Sequence, residues 1–345
     1  MIDWKLALGT ASRLSRPGPD LGDREVADVM AELRESAAMA VTPVREFTGL
    51  VPAWITPVLV VDRPHWVEAN LQTFEVVLAP FVTRLQSSDK APSGLSAVVG
   101  PKITGLEVGA LLSFLASKIL GQFDPFWTSP TGDPGRLLLV APNIVHVERE
   151  LGVDPSDFRR WVCLHEETHR AQFTGVPWMR DTLLALLDEF TASVDTESIG
   201  DRSGEALAEV VRIARGTSDR ALSEVFQNED QRRILDRITG IMSLLEGHAD
   251  VVMDDIGPEL IGSVAQIRAK FDQRRQSATG LNAVVRRLLG LEAKMRQYRD
   301  GASFVRAVHD TVGREGFDAL WADPDHLPTR SEIGDPAAWV ARVHG

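Results

Sequence analysis

The sequence predicts an α+β fold that is predominantly α-helical, and three observations carry that reading. Apolar residues recur at three- and four-residue steps along most of the chain. Only two short runs, Val58 to Val61 and Arg136 to Val140, read as strands. An H-E-x-x-H pattern, running from His165 through Glu166 to His169, falls inside one of the helical stretches.

In chain order, Asp23 to about Val41 reads as an amphipathic helix, followed by the strand Val58 to Val61. Pro64 to about Leu85 then forms a helix capped by Asp62. Residues 86–101, rich in serine, glycine and proline, read as a linker or flexible loop. The most apolar helix, Ile103 to Leu120, is interrupted by Glu107 and Lys118 and is too short in unbroken apolar length to span a bilayer. It is expected in the core, behind the motif helix. Arg136 to Val140 is the second strand, either at a sheet edge or internal. Asn143 and His146, just after it, suit a surface turn better than a cleft.

The motif helix is well delimited. Asp154 is placed to cap it, Pro155 suits its first position, and Gly175 with Pro177 stops it. Phe158, Trp161, Val162, His165, His169 and Gln172 share its inward face. Cys163 reads as a small buried hydrophobe. A second amphipathic helix, with Asn228 as its cap and Gln231 three residues on, runs through Ile234, Leu235, Ile238, Ile241, Met242 and Leu245. Arginines between Arg268 and Arg299 suggest a solvated helix face rather than a docking patch, and Tyr298 a packed C-terminal residue rather than an oxyanion stabiliser.

Two histidines four residues apart on one helical face bring both imidazoles to a single metal ion. Glu166, directly after the first, can take a proton from a water that the metal acidifies, without itself ligating. A catalytic zinc needs a third protein ligand. Glu246 is the candidate, and Asp250, one turn later on the same face, is placed to orient a ligand histidine from behind. His248 or Asp250 would replace Glu246 as the ligand if that helix were rotated. A purely structural site has no use for a free base, so Glu166 favours catalysis over the competing reading, a non-catalytic zinc-containing interaction or scaffold protein.

A formal charge of -12 over 345 residues argues against nucleic acid and anionic membranes as partners. The single cysteine excludes an intramolecular disulfide and fits a reducing compartment. Nothing at Met1-Ile2-Asp3-Trp4-Lys5 resembles a secretory signal, and a cytoplasmic location is expected.

Beyond the motif, Val61-Asp62-Arg63-Pro64, Leu120 to Phe126, Val140-Ala141-Pro142-Asn143, Val176-Pro177-Trp178, Lys294 to Tyr298, Leu327-Pro328-Thr329 and Asp335-Pro336 occur in order along the chain. With these, it resembles the type 2 zincin-like metallopeptidases, a family of inferred zinc hydrolases often labelled as associated with deazaflavin-cofactor biosynthesis. The resemblance implies a zincin-like core with additional helices, zinc on His165, His169 and Glu246, Glu166 as the base, and a peptide or protein substrate. An edge strand near the metal holds extended substrate in such folds. On this reading residues 1–90 form a mostly helical region packed as one unit with a metallohydrolase region over 100–345.

Overall fold

Three strands, β1 (Val58–Val61), β2 (Gly121–Thr128) and β3 (Pro134–Val140), form one sheet in the order β1-β3-β2. The computed structural model describes residues 2–86, 95–193, 229–276 and 296–345. β1 runs parallel to β3 with Val58 opposite Leu137, and β2 runs antiparallel with Gly121 opposite Leu139. β3 is therefore internal. The edge beside the motif helix belongs to β2, which the sequence reading passed over. Its alternation is interrupted where Asp124 Oδ1 accepts the N–H groups of Phe126 (3.2 Å) and Trp127 (3.3 Å), and the register shifts between Asp124 and Thr128.

Both faces of β3 are buried, and its alternation divides the core. Leu137 and Leu139 join the larger cluster with α2 (Asp23–Thr48) and α6 (Pro155–Thr174). Leu138 and Val140 join a smaller one with Ala7 and Ala11 of α1 (Trp4–Leu14), Trp66 and Val67 of α3 (Arg63–Gln86), and Leu112 and Ala116 of α4 (Leu95–Ala116). The apolar helix α4 thus packs on α1 and α3, across the sheet from the motif helix rather than directly behind it. Gly109 is the reason α1 takes that surface: a Cβ there would meet Ala7 O at 2.4 Å. α4 also begins at Leu95, within the expected linker, of which residues 87–94 lie outside those described.

Two local expectations change. α2 extends to Thr48 and closes on Gly49 in the left-handed region (φ 73°). Asn143 lies in α5 (Ala141–Leu151) and is buried, not in a surface turn. Its Oδ1 accepts from Arg63 Nε (2.7 Å), and its Nδ2 donates to the carbonyls of Ala116 (2.7 Å) and Ile119 (2.6 Å). His146, on the same helix, is exposed.

α6 has the limits its sequence implies, with Asp154 Oδ1 accepting from Asp157 N at 2.9 Å and Gly175 at its C-terminus. Cys163 is fully buried in it. α7 (Trp178–Ala192) follows, and then α8 (Glu229–Leu260), α9 (Val264–Gln276), α10 (Arg296–Asp318), α11 (Arg330–Ile333) and α12 (Pro336–His344). Asn228 and residues 277–295 lie outside the described residues, as does the side chain of Tyr298. Of the expected basic face, Arg268 pairs with Asp250 and Asp254, and Arg274 with Glu150, so these arginines join helices together. No helix among the described residues is long and apolar enough to cross a membrane.

Candidate metal centre

α6 and α8 pass each other in opposite senses: Gln172 meets Leu245 and His248, while His165 meets Met253. Glu246 falls between these contacts and faces both histidines. Its Oε2 lies 3.7 Å from His165 Nε2, its Oε1 lies 3.7 Å from His169 Nε2, and the two Nε2 atoms are 3.1 Å apart. Tetrahedral zinc with bonds near 2.0–2.1 Å sets its ligand atoms about 3.3 Å apart. The two imidazole nitrogens and the Glu246 carboxylate, all within 4.8 Å of one another, therefore converge closely enough for one ion. Among the described residues these three form the one group of histidine, cysteine or acidic side chains with that convergence.

The glycine after Glu246 admits a close helix neighbour on a different face. A Cβ on Gly247 would sit 2.1 Å from Gly301 C, so α10 lies against the backbone of α8 there, and Glu246 projects to the other side. The remaining candidates on α8 take other roles. His248 is buried behind Gln172, among Phe317 and Trp321, with its pKa pushed down to about 3 by burial and by neighbouring His309, His169 and Arg314. Asp250 Oδ1 accepts from Arg268 Nη1 at 3.1 Å. The orienting contact expected of Asp250 is made at His169 by Gln172 instead, because Arg268 reaches across from α9 and claims the carboxylate.

Gln172 determines the tautomer of His169. The Leu245 carbonyl can only accept, so the amide nitrogen of Gln172 must face it (2.9 Å), and the same nitrogen reaches His248 Nδ1 at 3.0 Å. The amide oxygen is thereby turned to His169 Nδ1 at 2.9 Å, which must carry the proton. His169 Nε2 is left with a lone pair directed at the triangle. His165 Nδ1 lies 3.2 Å from Met253 Sδ. Two imidazole nitrogens and a carboxylate converging on one point are the donor types of a catalytic zinc site, so the residues present fit a zinc ion. Sequence reasoning placed Gln172 on the inward face without a role. The available signal was an amide three residues after a ligand histidine on an otherwise apolar stripe.

Glu166 turns from the triangle toward β2. A Cβ on Gly121 would lie 2.5 Å from Glu166 Cγ, so glycine is what admits the strand this close. Burial pushes the Glu166 carboxyl up to about 7, opposed by His169 and aided by Glu246. Val140 N donates to Leu120 O at 2.8 Å, and alternation along the ladder then leaves the main-chain groups of Gly121 and Phe123 directed away from β3. These groups border a cavity of about 590 Å³ that contains His165, Glu166, His169 and Glu246.

A family model described as zincin-like metallopeptidase matches residues 2–340. A crystal structure from Chloroflexus aurantiacus, described as a proposed hydrolase with a novel fold, is similar over 100% of this chain and 99% of its own, with 29% identity and a TM-score of 0.72. No match is found among curated proteins.

Proposed function

The chain belongs to the zincin-like metallopeptidase family, and from that premise we propose that it is a zinc-dependent hydrolase acting on peptide bonds, with Glu166 as its base. The observation that carries the reading is the convergence of three metal-ligating side chains with a further carboxylate beside them, all opening on one cavity. Zinc bound by His165, His169 and Glu246 would supply Lewis acidity toward a water and a substrate carbonyl. Glu166 holds the proton that the attacking water gives up and returns it to the leaving amine. Gly121 and Phe123 bind the extended substrate by main-chain hydrogen bonds along the free edge of β2. The three donors found among the described residues are the number a catalytic site uses, with a coordination position left for water. Glu166→Gln tests the reading. The variant is expected to retain about one zinc per chain by elemental analysis while losing peptide hydrolysis, whereas His165→Ala and His169→Ala lose both. Equal hydrolysis by Glu166→Gln and the parent would remove Glu166 as the base.

A further inference from the structure

The two ends of the cavity differ in chemistry. Beyond His169, where α6 runs on to Phe173, the lining side chains are Phe126, Leu183, Leu187, Ile238 and Met242, drawn from β2, α7 and α8. Phe173 is backed by Phe123, the ring centroids lying 5.7 Å apart at an interplanar angle of 29°. Arg180 Nε on α7 donates to Pro125 O at 3.0 Å, which ties the α7 wall to the bend of β2. The charged lining residues outside the triangle and its base are Lys118, Asp124, Asp250 and Arg274. Asp124 is turned from the cavity into a buried pair with Arg136. Of the other three, Lys118 lies over the Phe114 ring, while Asp250 is paired with Arg268 and Arg274 with Glu150, on the side where Met253 meets His165 and Phe271 packs on Trp161.

We propose that the end of the cavity beyond His169 is a specificity subsite that takes a bulky aliphatic or aromatic side chain of the residue flanking the scissile bond. The inference rests on the hydrolase reading for the identity of that bond, but the subsite itself is defined by its lining. An apolar side chain placed there leaves water for the hydrocarbon of these side chains. A carboxylate or ammonium would lose its hydration and find no charged partner among these six side chains, which is the stronger half of the selectivity. A single methylene in such a pocket changes discrimination by about 10–200-fold, and a charge is expected to exceed this.

The test uses binding as well as turnover. Dipeptide hydroxamates bearing Leu, Phe, Asp or Lys side chains are titrated calorimetrically into the zinc-loaded protein, and a mixed peptide library is digested in parallel. Leu and Phe hydroxamates are expected to bind at least about 100-fold more tightly than those with Asp or Lys. Met242 is 37% exposed at the rim, so Met242→Lys is compatible with folding. This variant should weaken the Leu hydroxamate by about tenfold or more and favour the Asp one, while Met242→Leu should match the parent. Equal affinities for all four compounds, or no binding by a zinc-loaded protein, would overturn the subsite. Library cleavage without apolar preference would overturn it and leave the peptidase reading standing. Tight, selective Leu and Phe binding with no cleavage of any peptide would sustain the subsite and overturn the peptidase reading.

Discussion

Gln172 links the two helices of the metal centre through one buried amide, with its oxygen on His169 and its nitrogen on Leu245 O and His248. Gln172→Ala removes the group that holds the His169 proton on Nδ1. Zinc affinity should fall about 10–100-fold, the usual loss for an outer partner of a ligand histidine. Chelator competition measures this. In the same assay Glu246→Ala should lose more affinity than Asp250→Ala or His248→Ala, since Glu246 alone of the three faces both Nε2 atoms. Unchanged affinity in Gln172→Ala would show that packing alone orients the imidazole. The histidine pair and Glu246 were legible in the sequence because helical periodicity fixes which side chains share a face. The turn of the Gln172 amide was not, because the groups its nitrogen faces lie 73 and 76 residues away on another helix.

β2 approaches α6 through Gly121, and that approach sets where Glu166 can stand. Gly121→Ala places a methyl group within 2.5 Å of Glu166 Cγ and must displace the carboxylate. A displacement of about 1 Å can cost 100-fold in rate, so hydrolysis should fall by that order while zinc content stays constant. Parallel measurements of rate and metal check it, and an undiminished rate would exclude the contact. At the far end of the chain, Thr329 and Glu332 close a capping box at the start of α11, and Arg342 of α12 also holds the Glu332 carboxylate. Burial alone would raise the Glu332 pKa, but the hydrogen bonds from Arg342 and Thr329 outweigh it and set the pKa below the ordinary value. A carboxyl with a lowered folded pKa stabilises fully above its unfolded pKa, about 4.3, and loses that contribution as pH falls through the folded value. The stability difference between the parent and Glu332→Gln in urea should therefore shrink on acidification from pH 7 to pH 3. A difference constant over that range would contradict the assignment. Neither β2 nor α5 was apparent as an element in the sequence. The Asp124-Pro125 bend breaks the alternation of one, and the buried Asn143 conceals the apolar face of the other.

The sheet ties distant stretches together, since β1 precedes α3 and α4 in the chain while its partner β3 follows them. Arg136 on β3 anchors the face toward α3: Nε donates to Asp124 Oδ2 (3.0 Å), Nη1 to Gln72 Oε1 (3.0 Å) and Nη2 to Ala69 O (2.7 Å). Thr73 Oγ1 donates to the same Asp124 oxygen at 2.6 Å. Breaking a buried pair from one side leaves an uncompensated charge, at a cost of about 3–5 kcal/mol. Asp124→Ala should lower unfolding free energy by that amount in urea denaturation. A loss below about 1 kcal/mol would place the pair with exposed salt bridges.

The helical character, the limits of α6, the histidine pair with its base, and Glu246 as a ligand candidate all follow from the sequence, because helix faces and caps depend on residues within a few positions of each other. Tertiary structure decided which strand forms the edge, where α4 packs, which way the Gln172 amide is turned, and which end of the cavity is apolar among the described residues. Each of those depends on groups far apart in the chain, brought together by close approaches at Gly109, Gly121 and Gly247 that no local pattern encodes.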